Sequence, residues 1–160
     1  MNDVETLGEQ IKDIKIAMLT TVDEDGTLRS RPMGTQDVEF DGDLWFFTAD
    51  PSGKAAEVRH QQQVNVSYAD PGKSKFVSVS GRAMLVHDKA KMKEYWNPAY
   101  KVWFPEGLDT QDIALMRVTV EKAEYWEAPS GKLVRLVNFV KSVATGDQSV
   151  GGKNEKLTLR

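Results

Sequence analysis

The chain has 160 residues, 40% of them hydrophobic, which is enough for one domain with a genuine core. Its 21 Lys+Arg and 24 Asp+Glu give a net charge of −3, which argues against a nucleic-acid or anionic-membrane partner. The absence of cysteine excludes disulfides, thiolate metal sites and a cysteine nucleophile, and neither a signal peptide nor a membrane-spanning apolar run is visible, so a cytoplasmic protein is expected.

In chain order, Val4, Leu7, Ile11 and Ile14 recur at helical spacing and predict an amphipathic helix over 4–16. AMLTTV and TLRSRPMG flank an Asp25-Gly26 step, a strong hairpin signal. DVEF and LWFFTA read as a second hairpin across Asp41-Gly42-Asp43, and a helix is expected over 51–61. QVNVSYAD and KFVSVSGRAMLV, joined by Pro71-Gly72-Lys73, read as a third hairpin. DKAKMKEYW predicts a short helix begun by Asp88 and stopped by Asn97-Pro98. YKVWFPEGLD, broken by Pro105 and Gly107, is a packed loop or short helix. Residues 113–128 alternate well enough for one long, bulged strand. Leu133, Leu136, Val137, Val140 and Val143 then follow helical spacing to Gly146. One domain is expected over 1–146, with 147–160 a tail whose strand-like end frays or crosses to another subunit. Six or so hairpin-linked strands with inserted helices argue for a mainly β, antiparallel barrel.

The stretch FFTADPSGKAAEV places Lys54 in the first turn of a predicted helix, where the helix dipole disfavours a cation. Ser52, Gly53 and Lys54 can offer N–H groups, a hydroxyl and an ammonium to an anion such as phosphate. The alternative is Asp50 capping the helix, Pro51 at its first position and Lys54 in water. In TLRSRPMG, alternation puts Arg29, Arg31 and Met33 on one face. Starting roughly 7 Å apart, the two guanidinium-bearing chains repel by only about half a kcal/mol in water, but by ~2 kcal/mol if partly buried, where an anion between them becomes favourable. Pro32 removes a donor and marks an edge or a bulge. If the 27–34 and 44–49 strands are neighbours, Arg31, Thr48, Ser52 and Lys54 converge beside an apolar strand face, which suits a phosphate head on a flat ring.

Trp96, Tyr100, Trp103 and Phe104 form an aromatic cluster that reads first as a core plug or subunit contact. His60 and His87 have no partner at metal-ligand spacing. No Ser-His-Asp set or carboxylate pair stands out, so an enzyme here needs its cofactor to carry the reaction.

IAMLTTVDEDGTLRSRPM, LWFFTADPSGKAAEV, VSVSGRAMLV, YWNPAYKVWFPEG and AEYWEAP, taken together, resemble the pyridoxamine 5'-phosphate oxidase-related flavoproteins, in the general stress protein 26 branch. The resemblance spans about residues 5 to 145. It implies a split β-barrel homodimer with FMN at the subunit interface, and a flavin-dependent oxidoreductase acting with an unidentified small-molecule electron donor or acceptor. By position, Arg31 matches the arginine that reaches the FMN phosphate, and Pro32 and Met33 the wall against the ring. Phe47 and Thr48 match an aromatic-threonine pair beside ring and phosphate, and Ser52 and Lys54 the Ser-x-Lys of a helix start. Gly53 replaces a basic residue common there. Lys75 and Phe76 fall where the partner subunit approaches the flavin, Phe76 in place of a glutamine, and Trp126 resembles a late tryptophan near the ring edge. The Arg-x-His-type segment that holds pyridoxine phosphate is missing, which argues against vitamin B6 oxidation. The alternatives are a non-catalytic flavin sensor or carrier, and a binder of another planar cofactor, haem or deazaflavin.

Overall fold

The computed structural model describes residues 1–49, 62–128, 132–146 and 152–160. The predicted helix over 51–61, with Ser52, Gly53 and Lys54, lies outside the described residues.

Helix α1, Asp3–Ile11, opens with a capping box: the Glu5 N–H donates to Asn2 Oδ1 at 2.8 Å and the Asn2 N–H to Glu5 Oε2 at 3.0 Å. Two otherwise orphaned donors are thereby satisfied, at about 1 kcal/mol for such a cap. The helix is shorter than its apolar pattern predicts. It ends at Ile11, where the Ile14 N–H turns back to the Ile11 carbonyl at 3.1 Å, and Ile14 reaches the core from that turn.

Seven strands follow: β1 Ile16–Val22, β2 Leu28–Gly34, β3 Asp43–Ala49, β4 Gln63–Asp70, β5 Lys75–Val86, β6 Ile113–Glu127 and β7 Lys153–Thr158. All pairings are antiparallel, in the order β2-β1-β4-β5-β6-β3, with β7 added beside β6. The hairpin β1–β2 turns through Gly26 at φ +85°, a conformation that favours glycine. The hairpin β4–β5 turns through the 3-10 segment Pro71–Lys73, capped by Asp70. The end strands β2 and β3 come into contact with one another, so the sheet curls into the split barrel expected from the sequence.

Strand β6 is long because it serves three partners. Along one edge it pairs with β5; along the other, residues 113–119 pair with β3 and residues 122–127 with β7. Between these halves Glu121 is an extra residue, since the register passes from Ser80↔Lys122 to Gly81↔Val120. A Cβ on Gly81 would stand 2.4 Å from the Thr119 carbonyl oxygen, so the bulge demands glycine opposite it. The Leu159 N–H and the Arg160 guanidinium (Nη1) seal the seam, donating to the Glu121 and Val120 carbonyls at 2.9 and 2.7 Å. The strand-like run of the tail thus pairs within its own chain.

One expected hairpin is absent. DVEF is part of the irregular connection 35–42, and β3 pairs instead with β6. Leu44 through Thr48 are all buried, so β3 needs partners and packing on both faces. DVEF carries Asp37 and Glu39 between Val38 and Phe40, and its Val38 is left exposed, so it has no apolar face to offer such a strand.

Leu44 and Phe46 point into the main core with Leu19, Val66, Val79 and Val118, closed at one end by Leu7 and Ile11 of α1. Trp45 and Phe47, on the other face, pack with Leu115 against α2, Lys89–Tyr95, and the 3-10 segment Pro98–Val102 that follows. Each of these large side chains contributes roughly 1.5–3 kcal/mol by burial. Helix α3, Lys132–Thr145, leaves Leu136, Phe139, Val140 and Val143 exposed, so these four side chains do not enter the core of this chain. Among the described residues, no helix is long and apolar enough to cross a membrane.

Candidate functional site

Among the described residues strand β2 pairs on one side only, with β1, and Pro32 sits there as an edge proline. Residues directly opposite in an antiparallel pair share a face. The register Met33↔Ala17, Arg31↔Leu19 and Arg29↔Thr21 therefore puts both arginines on the face that carries the core residues Ala17, Leu19 and Met33. Burial declines along the row: Met33 is buried, Arg31 half-buried and Arg29 exposed. Arg31 Nη2 donates to the buried Thr21 Oγ1 at 2.7 Å, whereas Arg29 lies 4.0 Å from Asp23. The Thr21 hydroxyl thereby helps to fix the direction of the Arg31 guanidinium.

Strand β3 approaches from the other end of the curl. Thr48 is fully buried, and its hydroxyl oxygen has no hydrogen-bond partner among the described residues. A buried hydroxyl left unpaired costs on the order of 1–3 kcal/mol, so its position is suited to a polar ligand atom. Phe47 faces the opposite way, its ring 5.3 Å from Trp96 and 5.7 Å from Tyr100.

Between the two end strands lies a cleft of about 110 Å³, walled by Pro32, Met33 and Gly34 on one side and by Phe47, Tyr100 and Trp103 on the other. Gly34 is required by close approach: a Cβ there would stand 2.9 Å from the Trp103 ring. The Tyr100 hydroxyl donates to the Thr35 carbonyl at 3.1 Å and ties the aromatic wall to the strand that faces it. Burial, reinforced by the Asp37 charge, raises the Tyr100 phenol above its ordinary range and keeps it a neutral donor.

Three of the residues singled out in the sequence, Pro32, Met33 and Phe47, therefore line one cleft, with Arg31 and Thr48 on the strands that form it. Ser52 and Lys54 lie outside the described residues. Lys75, Phe76 and Trp126 do not line the cleft of their own chain. Phe76 and Trp126 are a cross-strand pair on β5 and β6, 43% and 42% exposed, and β1 and β4 separate β2 from β5. Sequence reasoning missed Thr21 and Gly34. Thr21 is an ordinary strand threonine until the register sets it opposite the arginine row, and Gly34 had no signal beyond being a glycine at a strand end. The cluster of Tyr100, Trp103 and Phe104 was visible as an aromatic run, but its place as a wall of the cleft depends on β3.

Comparison with known proteins agrees with this geometry. Over 154 residues the chain is 27% identical to protein bli-3 of Neurospora crassa, covering 90% of this chain and 74% of that protein. The solved structure of the candidate general stress protein 26 of Jannaschia sp. CCS1 superposes with a TM-score of 0.76 at 22% identity, covering 97% of each chain. The general stress FMN/FAD binding protein of Xanthomonas citri superposes at 0.67 with 27% identity, covering 80% of this chain and 90% of that one. The family model described as pyridoxamine 5'-phosphate oxidase like matches residues 2–149. The chain belongs to the pyridoxamine 5'-phosphate oxidase like family.

Proposed function

We propose that this protein binds FMN in the cleft between β2 and β3 as a cytoplasmic homodimer, and uses it as a flavin-dependent oxidoreductase. The observation that carries the reading is the half-buried Arg31 on β2 and the orphaned hydroxyl of Thr48 on β3, the two strands whose Pro32, Met33 and Phe47 wall the cleft. A flavin mononucleotide needs that combination: anion-binding groups for its phosphate and an apolar surface for its ring. The residues present fit the group. Arg31 supplies a charge already oriented by Thr21, Thr48 donates its free hydroxyl, and Ser52 and Lys54 add N–H groups and an ammonium. Pro32 contributes a carbonyl and no N–H, so the backbone at the ring edge is set to accept there rather than donate.

The cleft alone, at about 110 Å³, is smaller than an ordinary cofactor pocket. A second copy of the chain completes it in this reading. Phe76 and Trp126 are exposed on the sheet face that the register shares with Ile16 and Met18, Lys75 is half-exposed next to Phe76 in the chain, and Leu136, Phe139, Val140 and Val143 of α3 are open as well. Surfaces of this kind are normally covered, and the partner's approach brings aromatic rings toward the flavin. When bound, the flavin supplies hydride and electron transfer; the chain's own residues bind, orient and exclude water.

Titrating the purified protein with FMN, followed by the flavin absorbance and by the mass of the complex in solution, tests this reading. The expected result is one FMN per chain in a dimer. Arg31→Ala and Lys54→Ala should each weaken binding by about 1.5–3 kcal/mol. No affinity for FMN in the unaltered protein sinks the proposal. Among the described residues no side chain charged at neutral pH lines the cleft, which favours a second reading, a flavin carrier or sensor without turnover. Rapid reduction of the bound flavin by NADH or NADPH with multiple turnovers rules that reading out.

A further inference from the structure

A second, larger recess of about 490 Å³ lies at the α1 end of the barrel, bounded by α1, the connection 35–40 and the start of β3. Its floor is apolar, formed by Ile11, Phe40, Leu44 and Phe46. Five carboxylates line it, Glu5, Glu9, Asp37, Glu39 and Asp43, against one cationic side chain, Lys12. Lys12 is held by Glu9 at 2.8 Å, and two more cations stand near the rim, Lys15 at 3.8 Å from Asp37 and Arg160 at 4.0 Å from Asp43. With the Met1 amino group, which also lines the recess, an excess of one negative charge remains, and among the described residues Glu39 has no ionic partner.

The recess also contains a polar group. Tyr68 is only 3% exposed and lines the cavity, and no side-chain hydrogen bond of this chain's described residues engages its hydroxyl. Unlike that of Thr48 it is not sealed from the cavity, so water or a ligand polar atom in the recess can meet it. Burial raises the phenol above its ordinary range, so it stays neutral and able both to donate and to accept. The charge preference of the recess is therefore set by the carboxylates, and its low-dielectric walls focus their field.

We propose that this recess is a ligand site, separate from the cleft, for a small aromatic or apolar amine. The aromatic body lies on Phe40 and Phe46, the Tyr68 hydroxyl oxygen accepts from a ring N–H such as an indole's, and the ammonium points to the rim beside Glu39. The volume lies within the range of small-molecule pockets. The sign of the charge separates it from the arginine-bearing cleft: a phosphate repelled here is attracted there. Gln36 lines both spaces, and its buried Nε2 has no partner among the described residues, so occupancy of either recess bears on the same side chain.

The test uses the full chain saturated with FMN, titrated with three probes of one shape: tryptamine, its neutral alcohol tryptophol and its anionic counterpart indole-3-propionate. Calorimetry and backbone amide shifts are recorded together. Tryptamine is expected to bind, tryptophol several-fold more weakly and indole-3-propionate not measurably, with shifts confined to α1 and residues 35–46. Tyr68→Phe should weaken tryptamine about tenfold, the loss of one hydrogen bond to a charged or polar partner. The exposed Glu39→Gln, which leaves folding intact, should narrow the advantage of tryptamine over tryptophol. FMN affinity should be unchanged in both variants, which separates this site from the flavin reading. No binding of tryptamine, equal binding of all three probes, indifference to Tyr68→Phe, or shifts at Pro32–Gly34 instead would each overturn the proposal and leave the recess a water-filled space.

Discussion

The two recesses meet at Gln36 and share strand β3, and they differ in the charges around them. The end strands that form the cleft, β2 and β3, carry Arg31 and the buried hydroxyl of Thr48, whereas the recess at the α1 end is lined by Glu39, Asp37 and Tyr68. In each region a hydroxyl stands near an apolar wall, and the charged groups around it decide the ligand. The difference follows from register. Alternation along β2 places arginines on the barrel side of an edge strand, while the connection that follows β2 brings its carboxylates to the opposite end.

A change in the shared scaffold should remove both recesses, and it should have the largest effect. Gly81→Val would drive a side chain into the Thr119 carbonyl at the β6 bulge. Overpacking of this kind costs typically 1–3 kcal/mol and more where backbone must move. The expected outcome is a protein with a sharply lowered melting temperature and no titratable site of either kind; a native melting curve would show that the bulge is not needed. Arg31→Ala should break one side of the comparison only: FMN affinity falls by about 1.5–3 kcal/mol, and amine binding at the other recess is unaltered by calorimetry.

Thr48→Val sharpens the comparison further. Replacing an unpaired buried hydroxyl with an isosteric methyl should leave the melting temperature of the FMN-free protein unchanged or raised, while FMN binding weakens by about 1 kcal/mol. A destabilised FMN-free protein would mean that the hydroxyl serves the fold. The smallest effect concerns β7, whose Glu155 accepts from the Tyr125 hydroxyl at 2.8 Å and lies 3.2 Å from Lys153. The Tyr125 hydroxyl and then Lys153 hold the Glu155 carboxyl below its ordinary range, while the Tyr125 and Glu155 groups hold Lys153 above its own. Glu155 therefore contributes above its unfolded pKa and loses that contribution as pH falls through its lowered folded value; Lys153 contributes below its unfolded pKa and loses it as pH rises through its raised one. Both groups are exposed, so the seam should loosen only slightly at either extreme. Amide exchange along Lys153–Thr158 should quicken in acid, and Glu155→Gln should flatten that acid limb.

Much of the barrel was legible because its signals are local. Asp25-Gly26 and Pro71-Gly72 turn the chain by their own conformational preferences, and period-2 alternation in 75–86 and 113–127 survives whatever partner is chosen. DVEF was misread because alternation between Asp37, Val38, Glu39 and Phe40 resembles a strand edge, whereas the pairing of β3 is decided by burial on both of its faces. Leu133, Leu136, Val137, Val140 and Val143 marked a helix correctly without saying whether a core receives them.

The amino-acid sequence by itself determined the strands, their turns, the edge position marked by Pro32 and the residue types suited to a flavin phosphate, because each rests on neighbours a few positions apart. Only the tertiary structure decided that β3 joins β6, that Thr21 orients Arg31, that the hydroxyl of Thr48 is buried without a described partner, that Tyr68 lines the recess at the α1 end, and that Gly34 admits Trp103. Those facts depend on which distant segments meet, and that choice is made by burial summed over the whole sheet.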